Sequence, residues 1–171
     1  NSLEAFKLFF PPTTRKRIKK KKDNKNKFST KKKKKKKGYD VKYMYGGDAF
    51  FDNMEDFFAG NNYDIVDKKT FKPNEITFDN IWGVCDEDMY NKAIKIMDKE
   101  AQSGKPFFNH IMTVSNHRPF TYPNGTIDIP GDSKSRDGGV KYTDYAMKRF
   151  FEMAKKQPWF NNTVFVIVAD H

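Results

Sequence analysis

Asp170 and His171 follow directly on the apolar run Val164-Phe165-Val166-Ile167-Val168-Ala169, and His117 and Arg118 follow on a second run, Phe107 to Val114. In both places chemistry-bearing side chains stand at the carboxyl end of a strand-like segment, which is where α/β sheets bind their ligands. A carboxylate oxygen beside an imidazole nitrogen suits a divalent cation such as zinc or manganese. On its own the same pair also fits a capped strand end whose Asp starts a turn. His117 with Arg118 points to anion recognition, since a guanidinium can grip phosphate or sulfate with two parallel hydrogen bonds. The plainer alternative is a loop histidine next to an exposed arginine. Two histidines at the ends of neighbouring strands would converge on one site. His110 lies inside its run, between Asn109 and Ile111, and reads as a structural histidine.

These side chains need a scaffold, and the pattern around them supplies one. Tyr39 to Tyr45 alternates with period two and predicts a strand; Gly46-Gly47 turns the chain. Asp48 is a candidate N-cap for a short helix to about Phe58, closed by Gly60-Asn61-Asn62. Asp64 to Val66 suggests a brief strand, followed by an irregular stretch to Trp82. Asp86 is expected to cap a helix that places Met89, Ala93, Ile96 and Met97 on one face, a stripe that belongs to the core. Ser103 to Pro106 ends it. Val140, Thr143, Ala146, Met147 and Phe150 predict a third helix, and Pro158 precedes the last strand. The near-continuous apolar character of 164 to 169 reads as a strand buried on both faces. Strands alternating with helices imply an α/β fold, a three-layer αβα sandwich around a largely parallel sheet.

The charge of the chain is uneven. Residues 1 to 37 carry 17 of the 33 Lys and Arg against only Glu4 and Asp23, so the remaining 134 residues, with 16 basic and 20 acidic side chains, balance at −4. The chain therefore divides into a lysine-rich segment, 1–37, expected to be disordered or poorly packed, and a slightly acidic globular body, 38–171. Blocks such as Lys19 to Lys22 and Lys31 to Lys37 repel themselves. They read either as a solvated segment or as an arm for polyanions or anionic lipid. Phe28 is the only aromatic between Arg15 and Lys37, which argues against single-strand nucleic-acid binding. The single cysteine, Cys85, excludes an internal disulfide. No apolar stretch reaches the 18 residues a membrane span requires. No helix, Gly or Pro follows the last strand, so the chain is expected to be a fragment cut through its active site.

Four blocks carry a resemblance. They are Gly38-Tyr39-Asp40-Val41-Lys42-Tyr43 with Tyr45-Gly46-Gly47-Asp48-Ala49-Phe50-Phe51-Asp52-Asn53-Met54; Trp82-Gly83-Val84-Cys85-Asp86-Glu87-Asp88; Lys105-Pro106-Phe107-Phe108 with Ser115-Asn116-His117-Arg118-Pro119-Phe120; and Asp137 to Ala146 with Asp170-His171. Together they resemble the sulfatase-type catalytic domain of lipoteichoic-acid-synthase-like proteins, in the alkaline phosphatase superfamily. The resemblance implies a threonine nucleophile that coordinates one divalent metal ion and attacks a sulfate or phosphate ester. That threonine is expected a few residues before Asn1. Asp170 and His171 match paired metal ligands, and His117 matches a substrate-binding histidine. The family also implies a bacterial membrane location with the catalytic domain extracytoplasmic, and substrates that include membrane lipid headgroups. This chain departs from the pattern in two places. Members that polymerise glycerol phosphate carry tryptophan and arginine where Asp52 and Met54 stand, which points away from lipoteichoic acid synthesis itself. Lys31 to Lys37 replaces an amphipathic helix and offers no apolar face. Alone, the chain is expected to lack the complete machinery.

Overall fold

The computed structural model describes the backbone of residues 4–9 and the whole of residues 37–169; the lysine runs as far as residue 36, Asp170 and His171 lie outside the described residues. Among the described residues, seven strands and three α-helices follow one another: β1 (Glu4–Phe9), β2 (Asp40–Tyr45), α1 (Met54–Gly60), β3 (Asp64–Val66), β4 (Asp79–Asn80), β5 (Gly83–Val84), α2 (Asp86–Gln102), β6 (Phe107–Met112), α3 (Arg136–Ala154) and β7 (Val164–Ala169). The main sheet has the order β3-β2-β6-β1-β7, and β4 and β5 form a separate hairpin. β2 runs parallel to both β3 and β6, whereas β1 is antiparallel to β6 and to β7. Hence β2, β3, β6 and β7 share one direction, and all four end at the same edge of the sheet.

Alternation along the strands sorts side chains onto two faces. Val41, Tyr43, Tyr45 and Phe108 pack with Phe58 of α1 on one face. Met44, Phe107 and Ile111 pack on the other with Met89, Ala93 and Met97 of α2 and Ala146 and Phe150 of α3. This gives the expected three layers. On the first face His110 meets Tyr43 and Phe58 edge-on, at ring-centroid distances of 5.4 and 5.3 Å, as a structural histidine would. The α2 stripe is wider than its sequence spacing suggests, since Tyr90 and Ile94 are buried and Ile96 only partly so. In α3 the buried face is turned towards Gly139 and Tyr142, and Val140 is 50% exposed.

β7 departs from the expectation of a strand buried on both faces. Val164, Ile167 and Val168 are 48, 49 and 43% exposed. Among the described residues the strand lies at the edge of the sheet, with β1 beside it. Phe165 is the residue it packs inward, against Phe150, Phe151 and Phe160.

A surface clasp joins the 3-10 turn Pro73–Glu75 to α2. Glu75 accepts from Lys92 Nζ at 2.8 Å and from the Lys72 backbone N–H at 3.1 Å, with Lys95 Nζ at 3.3 Å. The Lys92 bond, then the Lys72 amide, holds the Glu75 carboxyl down at about 2. A depressed folded-state pKa contributes stability above the unfolded value and loses it as pH falls through the folded one. Stability should therefore drop between roughly pH 4.5 and 2, and Glu75→Gln should flatten that part of the profile. Urea titrations of both proteins across that range would measure it; identical profiles would rule out the clasp as the source.

Candidate functional site at the carboxyl edge of the sheet

The edge where β2, β6 and β7 end is built by a close crossing of backbones. β2 runs into Gly46-Gly47, and the β4–β5 hairpin passes directly over this turn. Val84 N–H donates to Gly46 O at 2.9 Å. Gly83 sits at φ +143°, and a Cβ there would lie 2.1 Å from Gly46 O; one on Gly47 would lie 2.3 Å from Trp82 O. The glycines therefore do more than turn the chain: they let the hairpin approach until Trp82 reaches the loop after β6.

There Trp82 lies against His117, ring centroids 4.0 Å apart and planes tilted by 55°. Its backbone N–H donates to Asn80 Oδ1 at 2.8 Å, and Asn80 Nδ2 donates to Thr121 Oγ1 at 3.0 Å. The indole Nε1–H donates to the backbone carbonyl of Arg118. The same carbonyl stands 3.0 Å from His117 Nδ1. His117 is partly buried and Arg118 exposed. The loop is pinned by backbone bonds from His117 N–H to Val114 O (3.1 Å) and from Phe120 N–H to His117 O (2.7 Å).

Beneath the loop lies Asp86, fully buried. Sequence pattern makes it an N-cap; in the structure Cys85 is the N-cap and Asp86 is the first residue of α2. Its carboxylate points instead at the chain leaving β6. Oδ1 accepts from Val114 and Ser115 N–H, both at 3.0 Å, Oδ2 accepts from Thr143 Oγ1 at 3.3 Å, and the Asp86 N–H donates to Ser115 Oγ at 3.1 Å. Burial raises its pKa, opposed by the two backbone bonds. Asp86 thus ties α2 and α3 to the chain leaving β6, two residues ahead of His117. Burial likewise pushes the neighbouring Cys85 thiol up to about 12, so it stays protonated.

The rim is apolar on one side. Phe50 is 74%, Phe51 47% and Ile81 83% exposed, and Phe51 meets Trp82 edge-on at 5.6 Å. The expected helix from Asp48 forms later, because Asp52 and Asn53 adopt left-handed φ of 52° and 55° between a 3-10 turn and α1. Asp48 Oδ1 accepts from Phe50 N–H (3.0 Å) and starts that turn.

His117 and Arg118 thus fall at the expected edge. Asp170 and His171 lie outside the described residues, and β7 is described as far as Ala169, at this same edge. The expectation that the two histidine-bearing strands are neighbours is corrected: β1 lies between β6 and β7, hydrogen-bonded to both. Two strand spacings place β6 and β7 about 10 Å apart. Among the described residues, no group of three or more His, Cys, Asp or Glu is arranged to hold a metal.

Residues 34–171 match the family model described as Sulfatase. The chain belongs to the sulfatase family. It is 27% identical over 142 residues to lipoteichoic acid synthase of Staphylococcus saprophyticus, covering 79% of this chain and 21% of that protein. It is 26% identical over 142 residues to phosphoglycerol transferase I of Escherichia fergusonii, covering 78% of this chain and 19% of that protein. The chain therefore spans about one fifth of the length of the curated relatives it matches. Among solved structures, an alkaline phosphatase superfamily protein of Vibrio parahaemolyticus superposes with a TM-score of 0.73 at 40% identity, covering 79% of this chain and 33% of that one. The lipoteichoic acid synthase LtaP of Listeria monocytogenes gives 0.59 at 26%, covering 71% and 31%. As a sulfatase-family domain the chain has an alkaline-phosphatase-type α/β architecture, with His117 at the edge where such sheets bind ligands. Among the described residues no helix is long and apolar enough to cross a membrane.

Proposed function

We propose that this domain serves an enzyme that cleaves or transfers phosphate or sulfate esters, with phosphate esters favoured because the curated relatives are a synthase of lipoteichoic acid and a phosphoglycerol transferase. The observation that carries the reading is His117-Arg118 on a rigid loop at the sheet's carboxyl edge, held by Asp86 and covered by Trp82. Arg118 pairs with the anionic oxygens of the ester, and His117 offers a ring nitrogen to an ester oxygen, moving a proton as the bond to the leaving group breaks. Asp170 and His171 supply one oxygen and one nitrogen donor, a set that fits a divalent cation, which when bound would polarise the ester and screen its charge. The nucleophile is a threonine of the longer protein, preceding this stretch.

The test is turnover of phosphodiester and sulfate ester substrates by the full-length protein, with and without EDTA. Chelation should abolish turnover and a divalent cation restore it; chelator-resistant turnover would overturn the metal assignment. His117→Ala should lower kcat by about 10- to 100-fold with metal content unchanged. Full turnover in that variant would remove His117 from the chemistry.

The exposed rim supports a lipid headgroup as substrate, since Phe50 and Ile81 offer apolar surface beside the site that a membrane-borne molecule would cover. Phe50→Ser with Ile81→Ser should slow turnover of a vesicle-borne phospholipid several-fold and leave a water-soluble diester unaffected. Equal loss on both substrates would count against the lipid reading.

A further inference from the structure

His117 carries a constraint that its position alone does not explain. A carbonyl oxygen only accepts hydrogen bonds, so the 3.0 Å contact between His117 Nδ1 and Arg118 O requires the proton on Nδ1. A neutral imidazole has one N–H, and Nε2 is then a bare acceptor. Free histidine in water favours the opposite tautomer, with the proton on Nε2. The fold therefore selects the less common form. The Arg118 carbonyl can enforce that choice only if it stays aimed at the ring, and its second lone pair is occupied by the Trp82 indole N–H. Trp82 also covers one face of the imidazole and is fixed in turn by Asn80 and by the Gly46–Gly83 crossing.

We propose that Trp82 is a positioning residue for His117: through the Arg118 carbonyl it fixes the Nδ1–H tautomer and leaves Nε2 as the nitrogen that faces the ester chemistry. This rests on the reading of His117 as the substrate-contacting histidine. It assigns the direction of proton traffic: Nε2 takes up a proton from solvent water before the chemical step, making the ring an imidazolium, and passes that proton to the departing ester oxygen as its bond to phosphorus or sulfur breaks, while Nδ1–H stays on its carbonyl. Trp82 touches no substrate in this scheme.

The experiment is nitrogen-15 imidazole NMR of the histidine-labelled full-length protein at about pH 8.5, well above the ordinary histidine range, combined with kinetics of the same protein. Wild-type His117 should show a protonated Nδ1 and an unprotonated Nε2. Trp82→Phe keeps an aromatic cover but deletes the N–H, and it should populate the Nε2–H tautomer. In the full-length protein the same change should lower kcat about tenfold with KM little altered. A wild-type spectrum with the proton on Nε2 would overturn the proposal and needs no variant. An unchanged tautomer ratio in a folded Trp82→Phe protein would also overturn it. The spectra are independent of any reaction, so a failed positioning role is distinguishable from a failed ester-cleaving role, which the His117→Ala kinetics test separately.

Discussion

Asp86→Ala should cost the domain about 3–4 kcal/mol, because it strands two buried backbone N–H groups at once. Val114 and Ser115 N–H both converge on Oδ1 at 3.0 Å, in a place where Asp86 itself has no exposed surface. An orphaned buried donor costs about 1–3 kcal/mol, and the Thr143 hydroxyl loses its acceptor as well. Asp86→Asn separates charge from hydrogen bonding. Its amide oxygen can take the two backbone donors, and its NH2 can donate to Thr143 Oγ1, which then accepts. Burial raises the Asp86 pKa, so the ionised carboxylate is the form the site disfavours, and the amide removes that charge. Asp86→Asn should thus retain most of the stability that Asp86→Ala loses. Urea denaturation of the three proteins measures this. A loss in Asp86→Ala below about 1 kcal/mol would mean that the loop finds other partners. Because Asp86 holds the chain two residues ahead of His117, Asp86→Ala should also broaden the His117 resonances.

How much of this was legible in the chain depends on what kind of signal each element leaves. β2, β3, β6 and the two long helices leave local periodicity, and their existence follows from Val41, Tyr43 and Tyr45 alternating or Met89, Ala93 and Met97 recurring. β1 is different. Glu4–Phe9 falls inside the segment 1–37 that composition predicts to be disordered or poorly packed, yet it pairs in the main sheet; six residues cannot announce that they will hydrogen-bond to partners a hundred residues away. Without β1, periodicity alone places β6 and β7 side by side. The exposure of β7 escapes the sequence for a related reason, since apolar content reveals a preference for burial but not whether an edge is covered. Within the site, His117 and Arg118 could be found because they end a strand. Trp82 could not, because its role depends on a backbone crossing 35 residues before His117. The available signal was Gly46-Gly47 together with Gly83, three glycines that pack against one another rather than turn the chain separately. Asp86 stands out in the sequence only as a cap, because helix-start rules say nothing about a carboxylate that serves another segment.

That crossing gives the sharpest mechanical test. Gly83→Ala should destabilise the domain by about 3–5 kcal/mol and disable the site together. Two costs combine. At φ +143° an L side chain is strained whatever its surroundings, and the new Cβ would lie 2.1 Å from Gly46 O, 2.4 Å from Gly46 C and 2.6 Å from Gly47 Cα. All three are backbone atoms, so no side chain can swing away to make room. The hairpin and the β2 turn must separate by about 1 Å to reach even the tightest ordinary contact, which breaks the Val84 N–H to Gly46 O bond. Trp82 is the adjacent residue and moves with the hairpin, leaving the Arg118 carbonyl and the His117 ring. Gly60→Ala is the matched control. Gly60 ends α1 without positive φ, and a Cβ there meets nothing within 4 Å. It should be neutral or stabilising by up to about 1 kcal/mol through the unfolded chain. Thermal unfolding of the pair, read with the His117 imidazole spectrum, distinguishes a local glycine requirement from general intolerance to added bulk. If Gly83→Ala melts with the wild type and keeps the His117 spectrum, the hairpin is free to yield, and Trp82 is held over His117 by something other than this contact.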